Sequence, residues 1–283
     1  MRKFMILFSA LKSDLMVGLM VGLMVGLMVG LMVGLTGFFD GIACAFDLKG
    51  LSPTQPNAVF STFSTATNDP GIFSNEINLE YAVDPTFYRV TSAVTYGIDT
   101  STELLATVPF RIQSDKYGFE DVSVGLKHRF KDEGDILPSM ALLMGVSPPA
   151  GIGIATTKGR YGGGLIASKK IGPFMVHANA FYFSPFEQSL KSEWDLRLGT
   201  DMPAANNVNF LTEVEIKRSH FADNIDFAEG RLGYRYKPLK YLYTTLGTGY
   251  EFKSRQPNIR VFLSFTFVYP DREPKIERVY EAE

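Results

Sequence analysis

Cysteine is nearly absent from this 283-residue sequence, and its one copy, Cys44, stands in an N-terminal stretch that carries the marks of an export signal. A chain cut after that point has no internal disulfide and no thiolate for catalysis or metal binding, so packing and strand pairing must supply its stability. Histidine is scarce as well. His128, His177 and His220 form no His-x-x-x-His pair, which argues against a metal centre. Net charge is close to nil, at -2 from 28 basic and 30 acidic residues, so no charge excess tunes the surface to nucleic acid. Gly162-Gly163-Gly164 lacks the Lys-Ser/Thr ending of a phosphate loop, and glycine within a strand more readily permits close packing or a bend.

What the sequence has in quantity is alternation. Glu193, Asp195 and Arg197 interleave with Trp194, Leu196 and Leu198, which sends charged and apolar side chains to opposite faces of a strand. The same period of two recurs at Glu76/Asn78/Glu80 against Ile77/Leu79/Tyr81, and at Glu213/Glu215/Lys217 against Thr212/Val214/Ile216. Such runs are about ten residues long, the length of a bilayer-spanning strand. A content of 13 Tyr and 23 Phe suits the aromatic girdles of a membrane barrel, although an ordinary β core uses the same residues.

Residues 1–45 read as a signal peptide: Arg2, Lys3 and Lys12, then five Met-Val-Gly-Leu repeats over Met16–Leu35, then Ala43-Cys44-Ala45 as the cleavage site. Leu15–Leu35 is long enough to cross a bilayer as a helix, so a retained anchor is the competing reading. Lipidation of Cys44 is a lesser one, since Gly41-Ile42-Ala43-Cys44 lacks the expected Leu. Residues 46–72, rich in Ser, Thr, Pro and Asn, read as an irregular lead or an inward-folded plug. From there the pattern predicts twelve strands, near 73–83, 87–97, 102–112, 121–130, 137–147, 161–171, 173–183, 192–200, 207–217, 226–236, 240–251 and 258–269. Residues 73–269 are thus expected to form an all-β, transmembrane, antiparallel up-and-down β-barrel of about 12 strands, and 270–283 a charged periplasmic tail.

Connections after even-numbered strands are mostly tight (98–101, 131–136, Gly172, 201–206, 237–239), while several after odd ones are longer (148–160, 184–191, 218–225). An even-stranded barrel with both termini in the periplasm predicts that asymmetry. Asp84-Pro85-Thr86 is the exception, being short where an outer loop belongs.

The alternation places a charged set inside: Glu76, Glu80, Glu103, Asp121, Glu193, Asp195, Glu213, Glu215, Glu229 and Glu251 against Arg89, Arg111, Lys127, Arg129, Arg197, Lys217, Arg231, Arg235 and Arg260. Of these, Glu76, Glu80, Arg89, Glu103, Arg111, Lys127, Arg129, Asp195, Arg197, Glu213, Glu215, Lys217, Arg231 and Arg260 are the lumen-lining candidates. A near balance of signs favours paired side chains that brace the interior over a one-signed selectivity ring. His177 and Asn179 share a face, as acid–base groups of a lipid hydrolase would, but no local serine joins them and a polar lumen pair is the better reading. No catalytic residue, metal or cofactor is expected.

Several stretches in order resemble the outer-membrane barrel family of putative transporters of the meta-pathway of phenol degradation. They are Tyr96–Asp99 leading into Glu103–Phe110, the run Gly118–Phe130, Leu137–Pro149 and Tyr161–Phe183. Phe265 and Phe267 also resemble the terminal strand read by barrel-assembly machinery. The resemblance implies a bacterial outer-membrane location, contact with outer-membrane lipids and passive passage of small molecules, with hydrophobic or aromatic ones among the candidates. The competing expectation is a structural or surface-interaction protein with an ion-paired, closed lumen.

Overall fold

The computed structural model describes residues 50–83, 86–113, 116–152, 158–253 and 259–270. The expected cleavage site after Ala45, the apolar repeats and tail residues 271–283 lie outside them.

Thirteen strands form one closed antiparallel sheet. In chain order they are β3 (Phe73–Val83), β4 (Thr86–Gly97), β5 (Thr102–Gln113), β6 (Lys116–Phe119), β7 (Ser123–Lys131), β8 (Ser139–Ser147), β9 (Arg160–Ile171), β10 (Phe174–Pro185), β11 (Glu193–Ala205), β12 (Val208–Arg218), β13 (Phe227–Leu239), β14 (Leu242–Glu251) and β15 (Ile259–Tyr269). Two short strands precede them, β1 (Ala58–Val59) and β2 (Thr62–Phe63), paired as a small hairpin. Strands of the large sheet pair with their sequence neighbours, except that β6 and β7 both pair with β5, and β15 returns to β3 with Tyr269 opposite Phe73. Because β6 and β7 occupy successive lengths of β5, the thirteen strands make twelve staves. The all-β, twelve-strand, up-and-down barrel read from the sequence is the observed fold.

Alternation fixes which way each stave faces. Leu196, Leu232, Leu246 and Val261 are exposed, while Asp195, Arg231, Thr245 and Arg260 on the same strands are buried. An exterior this apolar is stable only in lipid, and a closed ladder is the sheet geometry that leaves no backbone edge unpaired there. Tyrosines cluster on the outside toward both ends. Tyr88, Tyr161, Tyr182 and Tyr250 lie near the long-loop end, and Tyr96, Tyr236, Tyr241 and Tyr269 near the short-turn end. Their amphipathic rings suit the two headgroup levels.

Two details differ from the pattern-based strands. The strand expected at 121–130 starts two residues late, as β7 at Ser123, and an extra short strand, β6, ends at Phe119, leaving a break at 120–122. The break turns Glu120 inward, its N–H donating to Pro109 O and its carboxylate meeting Arg89 and Arg111. β11 and β13 also run further than alternation indicated, so the turns after them are only 206–207 and 240–241. Ala and Pro at 203–205 and Lys-Pro-Leu at 237–239 resemble loop chemistry, yet all belong to strands, and each segment contains a register shift.

Candidate functional site

The lumen is occupied by residues 50–72. Gly50 lies beside Arg160 near the long-loop end, and Leu51 packs between Gly125 and Gly145. From there the chain descends toward the short-turn end, rises to the β1–β2 hairpin at mid-height, and descends again to Asp69 and β3. Thr54, Gln55, Asn57, Ala58, Val59, Thr62, Phe63, Ser64 and Thr65 are all buried.

Wall groups satisfy the segment's backbone around nearly the whole circumference, as burial demands. N–H groups donate from Ser52 to Thr107 Oγ1 (3.0 Å), from Gln55 to Glu76 Oε2 (3.0 Å), from Thr65 to Ser168 Oγ (3.0 Å) and from Asn68 to Glu103 Oε2 (2.8 Å). Glu213 Oε2 accepts the N–H of Ser61 at 2.9 Å and of Thr62 at 2.7 Å, and the Thr62 hydroxyl also at 2.7 Å. Asn179 is bound both ways to Phe63, accepting its N–H at 2.7 Å and donating to its carbonyl at 2.9 Å. Cations take the remaining carbonyls. Arg235 donates to Pro56 O (3.2 Å) and Ala58 O (2.9 Å), Arg197 to Ser61 O (2.5 Å), and Lys127 to Ser64 O (3.1 Å) and Ala66 O (2.5 Å).

Register brings opposite charges face to face across neighbouring staves. Glu80 stands opposite Arg89, Glu103 opposite Lys127, Arg197 opposite Glu215 and Glu213 opposite Arg231. The resulting pairs include Arg89–Glu80 at 2.9 Å, Lys127–Glu103 at 2.6 Å and Arg231–Glu215 at 2.8 Å, while Arg197 lies 3.7 Å from Glu215 and pairs at 2.5 Å with Asp195 on its own strand. Arg231 also pairs with Glu213 and Glu229, and Arg260 joins Glu80 (3.2 Å) to Glu229 (3.3 Å). Glu76 additionally accepts from the Thr266 hydroxyl at 2.8 Å. Phe87 is enclosed by three guanidiniums, those of Arg111 at 4.1 Å, Arg89 at 5.0 Å and Arg260 at 5.7 Å from its centroid. Lys217 lies 4.9 Å over Phe227.

Thirteen of the fourteen lumen candidates are thus inward and mostly buried, whereas Arg129 departs from the set. It sits at the short-turn rim with 27% of its side chain exposed, paired to Asp132 at 3.1 Å and donating to Thr100 O. A register shift just beyond it ends the regular alternation. Asp121, also expected inside, is buried and accepts the N–H of Gly151 at the base of a long loop (3.1 Å).

Four polar residues escaped the pattern. Glu120 fell in the strand break, Arg160 and Asp201 were assigned to loops, and Ser168 lies on a different strand from His177. Arg160 pairs with Glu193 at 2.6 Å, and Asp201 with Arg235. The serine absent from the local face of His177 is supplied across the sheet, where Ser168 bonds His177 Nδ1 at 2.8 Å. Its hydroxyl also accepts the Thr65 N–H, which makes it a seat for the inner segment. Among the described residues no cluster of His, Cys, Asp and Glu is arranged to hold a metal ion.

The lumen has one apolar wall, built from Leu105, Ala141, Leu143, Ile166 and Phe181, on which Leu51 and Phe63 of the inner segment pack. Phe63 meets Phe181 edge-on at 5.8 Å. The free space left is small. A cavity of about 40 Å³ lies between Leu51, Phe183, Arg160 and Lys217, and another of about 20 Å³ between Pro53, Phe60, Glu76 and Phe262. Each holds at most a few water molecules.

His220 closes the long-loop side, buried with Nδ1 donating to Lys191 O and Nε2 3.9 Å from Glu193. Burial holds its pKa below the ordinary histidine value, against a smaller upward pull from Glu193.

No family model matches the chain, and no curated protein matches it by sequence. Solved structures do. A COG4313 outer membrane channel from Pseudomonas putida F1 superposes with a TM-score of 0.55 at 10% identity, over 72% of this chain and 98% of that one. A KdgM porin in complex with disordered oligogalacturonate gives 0.52 at 14% identity, over 69% and 98%. The NanC porin gives 0.50 at 11% identity, over 68% and 98%. At such identities the likeness carries the fold alone: this chain has the twelve-strand barrel architecture of bacterial outer-membrane proteins.

Proposed function

We propose that the protein is a passive outer-membrane channel for small molecules, held closed by its own residues 50–72. The supporting observation is what fills the lumen. A barrel built only as a scaffold is filled by side chains from its own wall, whereas here a chain segment tethered through Asp69–Ile72 occupies the bore. Its displacement would leave a passage lined on one side by Leu105, Leu143, Ile166 and Phe181 and on the other by paired charges. The apolar side offers footing to hydrophobic or aromatic solutes, the solute class favoured by the sequence resemblance. No step in such passage needs a cofactor or an energy source.

Planar-bilayer conductance tests the reading. Wild type should show low conductance with brief openings, and Glu213→Gln/Glu215→Gln should raise it by loosening the hairpin's seat, with folding checked by heat-dependent gel mobility. A large, stable wild-type conductance unchanged by the double substitution would reject closure by the segment. The second reading is a closed structural or surface-interaction protein, favoured by the small cavities and dense ion pairs. It predicts no conductance from either protein.

A further inference from the structure

From Gly50 to Asn68 the inner segment carries no charged side chain. The wall around it is densely charged, and those charges are aimed at its backbone. Glu76, Glu103 and Glu213 accept N–H groups, while Lys127, Arg197 and Arg235 donate to carbonyls. Asn179 treats Phe63 as a neighbouring strand would, taking its N–H and giving to its C=O. Groups of this kind are common to every polypeptide, so most of the recognition is independent of sequence. Two apolar anchors add to it, Leu51 against Gly125 and Gly145, and Phe63 against Phe181.

We propose that the lumen wall is a peptide-binding site that reads backbone, and that its ligand class is an extended polypeptide without charged side chains. Residues 50–68 are its resident, displaceable occupant. Charged side chains are excluded because the wall's charges are already paired with one another, and a further buried charge would have no partner. Any extended neutral peptide with suitably placed apolar anchors is then a competitor for the lumen and the kind of molecule able to displace the occupant. The proposal concerns binding, so it stands or falls separately from the channel reading.

The test keeps the full chain. Pro70 and Gly71 are exposed, and nothing crowds Gly71. A protease site inserted between them allows the folded protein to be cut after purification, which severs the tether without altering the lumen. The fragment ending at Pro70 should remain with the barrel through gel filtration in mild detergent and exchange with excess fluorescent synthetic peptide of residues 50–68. The same peptide N-methylated at Thr62 and Phe63, with every side chain intact, should bind weaker by on the order of tenfold or more, the effect of losing backbone bonds to a buried carboxylate and amide. A peptide with Ser61→Asp should fail to compete. Asn179→Leu, which loses both bonds to Phe63, should weaken the unmodified peptide while the barrel keeps its heat-dependent mobility. Three results would overturn the proposal: a folded barrel that loses the fragment and takes up no peptide, N-methylated peptide binding as tightly as the unmodified one, or a cut fragment that never exchanges and is therefore a fixed part of the core.

Discussion

Glu213 on the barrel wall and Thr62 in the lumen are joined twice, through the Thr62 N–H and the Thr62 hydroxyl, both to the same carboxylate oxygen at 2.7 Å. Ser61 adds its own N–H and hydroxyl at 2.9 and 2.8 Å. One ionised side chain thus holds the tip of the inner hairpin, and charge-assisted bonds of this kind are roughly twice as strong as neutral ones. Glu213→Gln retains an acceptor but loses the charge and its pairing with Arg231. The expected outcome is amide exchange at Ser61 and Thr62 faster by on the order of tenfold, since about 1.4 kcal/mol of lost protection corresponds to that factor. Mass-resolved hydrogen exchange of the folded protein measures it, with the Thr65–Asn68 amides as the internal comparison.

Leu196 faces lipid and Asp195 faces the lumen, although they are adjacent in sequence. Leu196→Arg should therefore cost about 2–4 kcal/mol at mid-stave and reduce assembly into the membrane, whereas Asp195→Asn should assemble nearly as wild type does. Heat-dependent mobility of membrane-extracted protein compares the two. Equal tolerance would contradict the assignment of faces.

Gly145 provides the seat for Leu51. A Cβ placed on Gly145 would lie 2.4 Å from Leu51 Cδ1, and one on Gly125 would lie 2.5 Å from the same atom. Gly145→Val should displace Leu51, enlarge the cavity it borders, and raise conductance or protease access to residues 50–52 while the twelve staves still close. Leu51→Ala in the same background should relieve the clash, so the double variant should be the more stable of the two.

Glu80/Arg89 and Leu196/Asp195 show why so much of this barrel was legible in sequence. A period of two written in charges and leucines fixes both the strand and its faces, and the tight turns then fix which strands are neighbours. Glu120 was hidden because a strand break inverts the alternation without a proline or glycine inside 120–122 to announce it. Ser168 was hidden because its meeting with His177 depends on register, which a single strand does not display. Residues 50–72 were the hardest case. Their irregular composition, with Asp69 the one charged residue, fits an exposed lead as well as a plug, and only the placement of Glu213, Asn179 and Lys127 around their backbone separates the two.

His220 gives a pH prediction. Its pKa is lowered in the folded protein, so as pH falls through the ordinary histidine value of about 6.5 an opened 219–226 loop takes up the proton first. The closed loop should lose stability progressively from that point down to the lowered pKa, and regain it as pH rises. Arg160 and Lys217 oppose the incoming charge and Glu193 favours it. Limited proteolysis within 219–226 should accelerate on acidification from about pH 7 to 5, and His220→Gln should flatten that dependence.

The position of Gly50 beside Arg160 bears on how the molecule is made. The inner segment leads directly into β3, and β3 forms one side of the seam that β15 must close. Its hydrogen-bond partners are spread over ten strands, β3, β4, β5 and β7 to β13, and its start lies toward the long-loop end while its exit lies at the opposite one. A barrel sealed while empty would have to accept this segment afterward through a bore already lined with paired charges. Wrapping is the simpler order: the segment serves as a spindle on which successive staves dock, and the β3–β15 seam zips last. Closing that seam joins strands from opposite ends of the described chain, the kind of non-local pairing that slows folding. A spindle that gathers ten staves beforehand shortens the search, so the residues that shut the finished barrel are the same ones that help it form.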